Sequence, residues 1–91
     1  MYADLSSTDF QSANLHAADL RYTEMSGTRL WGANLSFSFI NYAELSGAWL
    51  DWADLTAADF TGATISWSEF TSSIWSDTRW IDGVTYDTNQ A

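Results

Sequence analysis

Three carboxylates recur at a fixed interval along the chain, and their spacing is the first pattern that could support chemistry. Asp4, Glu24 and Glu44 lie twenty residues apart. If the chain returns to the same place every twenty residues, these side chains form an acidic column and raise one another's pKa. Carboxylates of this kind can serve as acid/base or cation sites. The alternative is that they are solvated and inactive, which a convex surface without a pocket favours.

The sequence does not supply the partners that a catalytic, metal or cofactor site needs. It has no cysteine and one histidine, His16, for which the pattern offers neither a serine-base pair nor a second histidine. Asp51, Asp54 and Asp77 could bring carboxylates to a pocket, but they lack a polar partner. We predict that the protein is not an enzyme and holds no metal or cofactor.

The charge balance restricts the class of partner. Twelve acidic residues against three arginines give a net charge of -9, which disfavours direct binding of nucleic acid or an anionic membrane and allows protein partners, basic ones included. No apolar stretch approaches the roughly 18 residues of a membrane span, and no export signal follows Met1, so we expect a soluble protein for which the cytoplasm is favoured. For the arginines we predict three exposed ion pairs: Asp9 with Arg29, Asp59 with Arg79, and Asp19 with Arg21.

The elements that position these side chains follow from a period of five. A large apolar residue stands at every fifth position, and Ala, Ser or Thr stands two residues before each of these centres. The centres are Leu5, Phe10, Leu15, Leu20, Met25, Leu30, Leu35, Ile40, Leu45, Leu50, Leu55, Phe60, Ile65, Phe70, Trp75 and Trp80. A period of five is neither that of a helix nor that of a strand, and it indicates a repeat architecture.

Each centre can face inward only if the chain turns a corner between centres. Four five-residue sides then close a square coil of twenty residues, and stacked coils pair like parallel strands at about 4.8 Å per coil. The whole repeat makes a prism roughly 19 Å long. The small residue before each centre also points inward, because the large side chains leave no room for more than a methyl or hydroxyl group.

The five-residue units resemble those of a known family. The units that resemble the A-(D/N)-L-x-x unit of pentapeptide repeat proteins include Ala18-Asp19-Leu20-Arg21-Tyr22, Ala33-Asn34-Leu35-Ser36-Phe37 and Ala53-Asp54-Leu55-Thr56-Ala57. The resemblance implies an all-β fold, a right-handed quadrilateral parallel β-helix of about four 20-residue coils. It implies a fold and not an activity. We divide the chain into a pentapeptide-repeat β-helix, 1–82, and a C-terminal tail, 83–91.

The pattern is weaker near the two ends. Ile74 is apolar where a solvent-facing residue is expected, so we expect Ile74, and not Trp75, to be the inward residue there. The tail loses the period, and we interpret it as a possible cap, because an open coil exposes apolar centres and unpaired backbone. Met1 and Tyr2 leave no room for a second cap, so the first coil is bare unless another chain covers it or the sequence is a fragment.

Aromatic residues at solvent-facing positions are the main anomaly. Trp31, Trp49, Trp52 and Trp67 lie on or beside one side of the coil, and Phe37 and Phe39 face outward elsewhere. Indole is costly to expose, at roughly 25 cal/mol per Å², and contiguous apolar patches mark contact surfaces. The other interpretation is that the rings lie flat and cover neighbouring coils. The sequence leaves both open.

Two functions follow as hypotheses. The first is a non-catalytic structural or protein-interaction module that self-associates as a homo-dimer, through an end coil or through the aromatic face. The second rests on the resemblance: some pentapeptide repeat proteins are acidic rods that mimic DNA and bind type II topoisomerases such as DNA gyrase. A net charge of -9 over about 19 Å approaches the ~1.7 Å per charge of B-DNA.

Overall fold

Residues twenty apart are bridged in parallel along the chain. The computed structural model describes residues 3–91, and its bridges run from Asp4 with Glu24 to Asp59 with Arg79. Between two turns of the chain the hydrogen bonds alternate, as where Leu5 N donates to Glu24 O at 2.7 Å. The predicted twenty-residue repeat is therefore confirmed, and the fold is a β-solenoid. The expectation about Met1 and Tyr2 lies outside the described residues.

Corners interrupt the strands every five residues. The carbonyl of each centre from Leu5 to Phe70 accepts a hydrogen bond from the N–H three residues later, as Leu55 O does from Ala58 N at 3.0 Å. The residue two after each centre from Leu5 to Trp75 has a positive φ, the pattern of a type II turn. These left-handed residues are Ser7, Ser12, Ala17, Tyr22, Gly27, Gly32, Phe37, Tyr42, Gly47, Trp52, Ala57, Gly62, Trp67, Ser72 and Asp77.

The core is a column of apolar centres separated by small residues. The centres from Met25 to Phe60 are 0–1% exposed, and so are Ala33, Ala43, Ala48, Ala53 and Ala58. Five of the small residues that carry a hydroxyl donate to the carbonyl three residues before them, as Thr28 Oγ1 does to Met25 O at 2.9 Å, whereas Thr78 Oγ1 donates to Leu55 O at 2.7 Å. No described buried side-chain N or O atom lacks a hydrogen bond partner. The small residues therefore fill the remaining volume without stranding a polar group.

Trp75, and not Ile74, is the inward residue of the irregular unit. Trp75 is 7% exposed and Ile74 is 53% exposed, so the expectation of an inward Ile74 is wrong. Ile74 keeps the solenoid register, because its N–H donates to Ala53 O at 2.8 Å. Trp75 packs against Trp80 with 4.8 Å between ring centroids, and its Nε1 donates to Ser73 Oγ at 2.8 Å. The unit tolerates an exposed Ile74 because the larger indole fills the core.

The C-terminal segment folds back on the last turn. Two short strands, β1 (Thr78–Arg79) and β2 (Thr85–Tyr86), pair antiparallel. Trp80 N donates to Val84 O at 2.9 Å, and Asn89 Nδ2 donates to Phe70 O at 2.8 Å. Tyr86 packs against the core while half-buried. Within residues 3–91 there is no helix with the length and hydropathy of a membrane span.

Gly62 is required by a ring as well as by its backbone. Its φ is +76°, and a Cβ there would lie 2.4 Å from Cε1 of Tyr42, whose ring stacks on Tyr22 with centroids 5.2 Å apart. Gly62→Ala is expected to lower the free energy of unfolding by about 1–2 kcal/mol for the left-handed backbone. Displacing the stacked ring adds roughly 0.5–1.5 kcal/mol. Urea unfolding measures both.

Gly47→Ala is the matched control for this substitution. Gly47 has a similar φ of +71°, and a Cβ there would have only Gly27 N within reach, at 4.0 Å. The difference between the two variants therefore isolates the Tyr42 ring, and it should vanish when Tyr42 is also replaced by alanine. Equal losses in the two glycine variants would contradict the packing described for Tyr42.

Candidate interaction surface

Four exposed tryptophans lie on one side of the solenoid or at its two corners, and we call this side the tryptophan face. Its inward centres are Phe10, Leu30, Leu50 and Phe70. The outward residues before these centres are Asp9, Arg29, Trp49 and Glu69, which are bridged in sequence. The outward residues after them are Gln11, Trp31, Asp51 and Thr71. Two vertical columns of side chains therefore project from this face, one on each side of the centres.

The four predicted tryptophans are all exposed. Trp31 and Trp49 lie on the face and are 45% and 53% exposed, whereas Trp52 and Trp67 stand at its corners and are 59% and 92% exposed. The two corner tryptophans have φ values of 64° and 63°, a region that is unfavourable for bulky residues. Each therefore combines backbone strain with an exposed indole. Since the corners from Ser7 to Asp77 all have this φ, the exposed indole and not the strain distinguishes these two corners.

A shallow groove lies between Trp31 and Trp49. It has a volume of about 330 Å³ and is lined by Gln11, Arg29, Trp31, Trp49 and Asp51. Asp51 Oδ1 accepts a hydrogen bond from Thr71 N at 3.1 Å, and its second oxygen has no bond to another residue of the range 3–91. The groove therefore places a carboxylate oxygen of Asp51 that makes no such bond between two indoles.

The predicted pair between Asp9 and Arg29 does not form. Ion pairs within the described range join Arg21 to Asp19 at 2.7 Å and Arg79 to Asp59 at 3.8 Å, and Arg29 has none. Asp9 Oδ1 accepts from Gln11 N at 3.0 Å, but this local bond alone does not explain the missing pair, because Asp59 Oδ1 accepts from Thr61 N at 3.0 Å and Asp59 still pairs with Arg79. The guanidinium of Arg29 consequently stays exposed beside the groove.

Phe37 and Phe39 are exposed away from the tryptophan face, and each contacts a neighbour. Phe37 is 54% exposed and meets the ring of His16 edge-on at 5.5 Å. Phe39 is 50% exposed and lies under the guanidinium of Arg21 at 5.9 Å. Arg21 in turn holds the pKa of Asp19 at about 2 through its side-chain hydrogen bond. Each of these two rings therefore contacts one side chain of the adjacent turn and stays about half exposed.

The acidic column is in register, but its chemistry differs from the expectation. Asp4 pairs with Glu24, and Glu24 with Glu44, as parallel bridges. The pKa of Asp4 is lowered and not raised, because the side chain and backbone N–H of Ser6 donate to its carboxylate. Glu24 and Glu44 likewise accept from the serine two residues later. Local hydrogen bonds therefore occupy these carboxylates, and residues 3–91 contain no cluster of metal-ligating side chains.

His16 contacts a serine that sequence reasoning did not pair with it. His16 Nδ1 lies 2.8 Å from Ser36 Oγ, one turn above. The Ser36 hydroxyl donates to Asn34 Oδ1 at 2.6 Å, just as Thr56 Oγ1 donates to Asp54 at 2.7 Å. With its one hydrogen used, Ser36 accepts from His16 Nδ1–H. A nucleophilic serine needs the reverse direction, with the histidine as acceptor, so the pair is structural.

Square turns built from five-residue units define a class of protein, the quadrilateral β-solenoids, in which the corners and core are fixed and the outward side chains are free to vary. A sequence model described as pentapeptide repeats matches residues 1–36 and 40–74 in eight copies. The chain belongs to the pentapeptide repeat family. Members of this family are repeat proteins defined by their fold, so the outward side chains described above are where a particular function must be sought.

Solved structures of other pentapeptide repeat proteins are similar to this chain. Rfr23 from the cyanobacterium Cyanothece 51142 is 33% identical with a TM-score of 0.76, and the match covers 77% of this chain and 48% of Rfr23. A protein from the Arabidopsis thaliana thylakoid lumen is 24% identical with a TM-score of 0.57, covering 88% and 70%. A protein from Nostoc PCC 7120 is 23% identical with a TM-score of 0.55, covering 96% and 74%. No curated protein matches the chain.

Proposed function

We propose that the protein is a non-catalytic structural and protein-interaction module that self-associates through the tryptophan face. The observation that carries the proposal is the set of four exposed indoles on and beside one face, two of them at strained left-handed corners. Tryptophan and arginine are enriched in protein interfaces. The proposal takes the solenoid as right-handed, as members of the family are, and as about four coils long.

Flatness also favours this surface. The side of a square solenoid is a small parallel sheet, so two such sides can approach each other over their whole area. The whole chain exposes 4864 Å² over four sides and two ends of similar size, so one side is roughly a sixth to a fifth of this, or about 800–1000 Å². A stable interface needs roughly 800 Å² from each partner. The end coil is the other surface considered, and it offers no comparable group of exposed indoles among the described residues.

Serine substitutions at Trp49 and Trp52 test the proposal. The unchanged protein should show a concentration-dependent molecular mass above that of one chain in sedimentation or light scattering. Trp49→Ser with Trp52→Ser should shift it to a single chain, because two of the four exposed indoles on and beside the face are removed. Phe37→Ser is the control, since Phe37 is similarly exposed on another side. An association that survives the tryptophan changes would overturn the proposal.

The alternative is an acidic DNA mimic that binds a type II topoisomerase such as DNA gyrase. Its support is the net charge of -9. Over the longest dimension of 29 Å this charge amounts to one per about 3 Å. The charge density is therefore lower than that of duplex DNA, which carries one charge per ~1.7 Å, and four tryptophans interrupt the acidic surface. A gyrase supercoiling assay decides this alternative, because no effect over a wide protein concentration range would remove it.

A further inference from the structure

The tryptophan face has a charge pattern that complements itself. We infer that its partner is a second copy of this chain, docked about a two-fold axis along the line from Trp31 to Trp49, with Arg29 opposite the partner's Asp51. This inference rests on the proposed function and adds to it the orientation of the two copies. Four side chains around the groove support this orientation.

The four side chains form a rectangle. Arg29 and Trp31 flank Leu30 on one turn, and Trp49 and Asp51 flank Leu50 on the next. Residues two apart in an extended segment are roughly 6.6 Å apart, and adjacent turns are roughly 4.8 Å apart. Trp31 and Asp51 are the first residues of their corners, a position that is still extended in a type II turn. The two tryptophans therefore occupy one diagonal of the rectangle. The positive and negative charges occupy the other.

A two-fold axis along the tryptophan diagonal brings tryptophan to tryptophan and opposite charges together. In an isologous dimer the same patch meets itself, and if residue i contacts residue j then j also contacts i. Rotation about this diagonal brings each tryptophan onto its own copy. It brings Arg29 to within roughly 2.5 Å of the position of the partner's Asp51, measured along the face. Two equivalent ion pairs then enclose the indoles.

The free arginine makes a second copy the favoured partner. The chain carries three arginines and no lysine. Arg21 and Arg79 are already paired with Asp19 and Asp59, so Arg29 is the one arginine among residues 3–91 without an ion pair. Two copies with a net charge of -9 each repel at long range. Opposite charges placed across the contact therefore decide which orientation is tolerated.

The other acids of the face do not oppose this orientation. Asp9 and Glu69 lie in the same column as Arg29 and Trp49, one turn outside the rectangle on either side. The same rotation carries Asp9 towards the partner's Thr71 and carries Glu69 beyond the edge of the face. The other in-plane axes bring Arg29 against a tryptophan or against its own copy. Only the tryptophan diagonal pairs both charges of the rectangle.

Charge reversal tests the orientation. Sedimentation equilibrium is measured for the unchanged protein, Arg29→Asp, Asp51→Arg and the double variant. Each single reversal places like charges opposite each other, and we expect the dimer dissociation constant to rise at least tenfold. The double variant restores opposite charges, and its constant should return to within about threefold of the original. Arg21→Asp, Asp19→Arg and their double variant carry the same charge changes on another side, and they should show no such rescue.

The outcomes separate this inference from the proposed function. If the serine variants at Trp49 and Trp52 dissociate the protein but the double reversal rescues nothing, the face is correct and the orientation is overturned. If the unchanged protein is a single chain at every concentration, both the orientation and the self-association are overturned. Unchanged far-ultraviolet spectra and urea midpoints confirm that each exposed variant is folded, so that a loss of association reports the contact itself.

Discussion

Leu55→Ala is expected to lower the free energy of unfolding by about 2–5 kcal/mol, the range for removing a fully buried leucine side chain. Leu55 is 0% exposed and lies between centres of adjacent turns. A chain of this size has a total stability of roughly 5–14 kcal/mol. The single change therefore removes a large share of the stability, and urea unfolding followed by tryptophan fluorescence measures it.

Leu15→Ala is the matched control for this prediction. Leu15 is the centre of the same side two turns earlier, but it is only partly buried. The same atoms are removed from a site that already contacts water, so a smaller loss is expected. If Leu15→Ala cost as much as Leu55→Ala, burial in the described core would not be the source of stability at these positions.

Deleting residues 83–91 is expected to destabilise the last turn. Trp75 and Trp80 are only 7% and 5% exposed, although the chain beyond Trp80 does not continue the solenoid. The segment that follows them pairs with β1 and packs Tyr86 on the core. Exposing part of the two indoles should lower the free energy of unfolding by roughly 2–4 kcal/mol.

The deletion tests whether 83–91 acts as a cap. Fluorescence of the deleted protein should shift to longer wavelength, because buried indoles become hydrated. Deletion of residues 90 and 91 alone is the control, since Gln90 bonds only to Thr88 and both end residues are exposed. A full deletion with unchanged stability and spectrum would show that the segment is not a cap.

The sequence predicted the solenoid because two of every five positions are restricted by volume. A large centre such as Leu55 and a small residue such as Ala53 must both fit inside one square turn, and this leaves a period that no helix or strand shares. The left-handed conformation of the corners was not predicted. Gly27, Gly32, Gly47 and Gly62 recur two residues after a centre, and this spacing could have predicted the left-handed corners.

The side-chain chemistry of the surface was predicted less well. The twenty-residue spacing predicts which residues lie one above another, but it does not predict which hydrogen bonds their side chains make. Asp4 was expected to be affected by carboxylates one turn away, yet Ser6 on its own strand is closer and lowers its pKa. Asp9 was expected to reach Arg29, yet it bonds to Gln11 N. In both cases the carboxylate accepts a hydrogen bond from a partner two residues away. Such a bond does not exclude a partner twenty residues away, because Asp59 accepts from Thr61 N and also pairs with Arg79. Aspartate and asparagine favour such local bonds to the backbone.

The twenty-residue spacing of the bridges has a further consequence for how the chain acquires its structure. Every bridge between turns closes a loop of the same length, whether it joins Asp4 to Glu24 or Asp59 to Arg79. The entropy lost on closing a loop depends on its length and not on how many turns are already in place. Order can therefore begin at any turn and spread in either direction. A longer solenoid of this design would need no contact more distant in sequence than this one does.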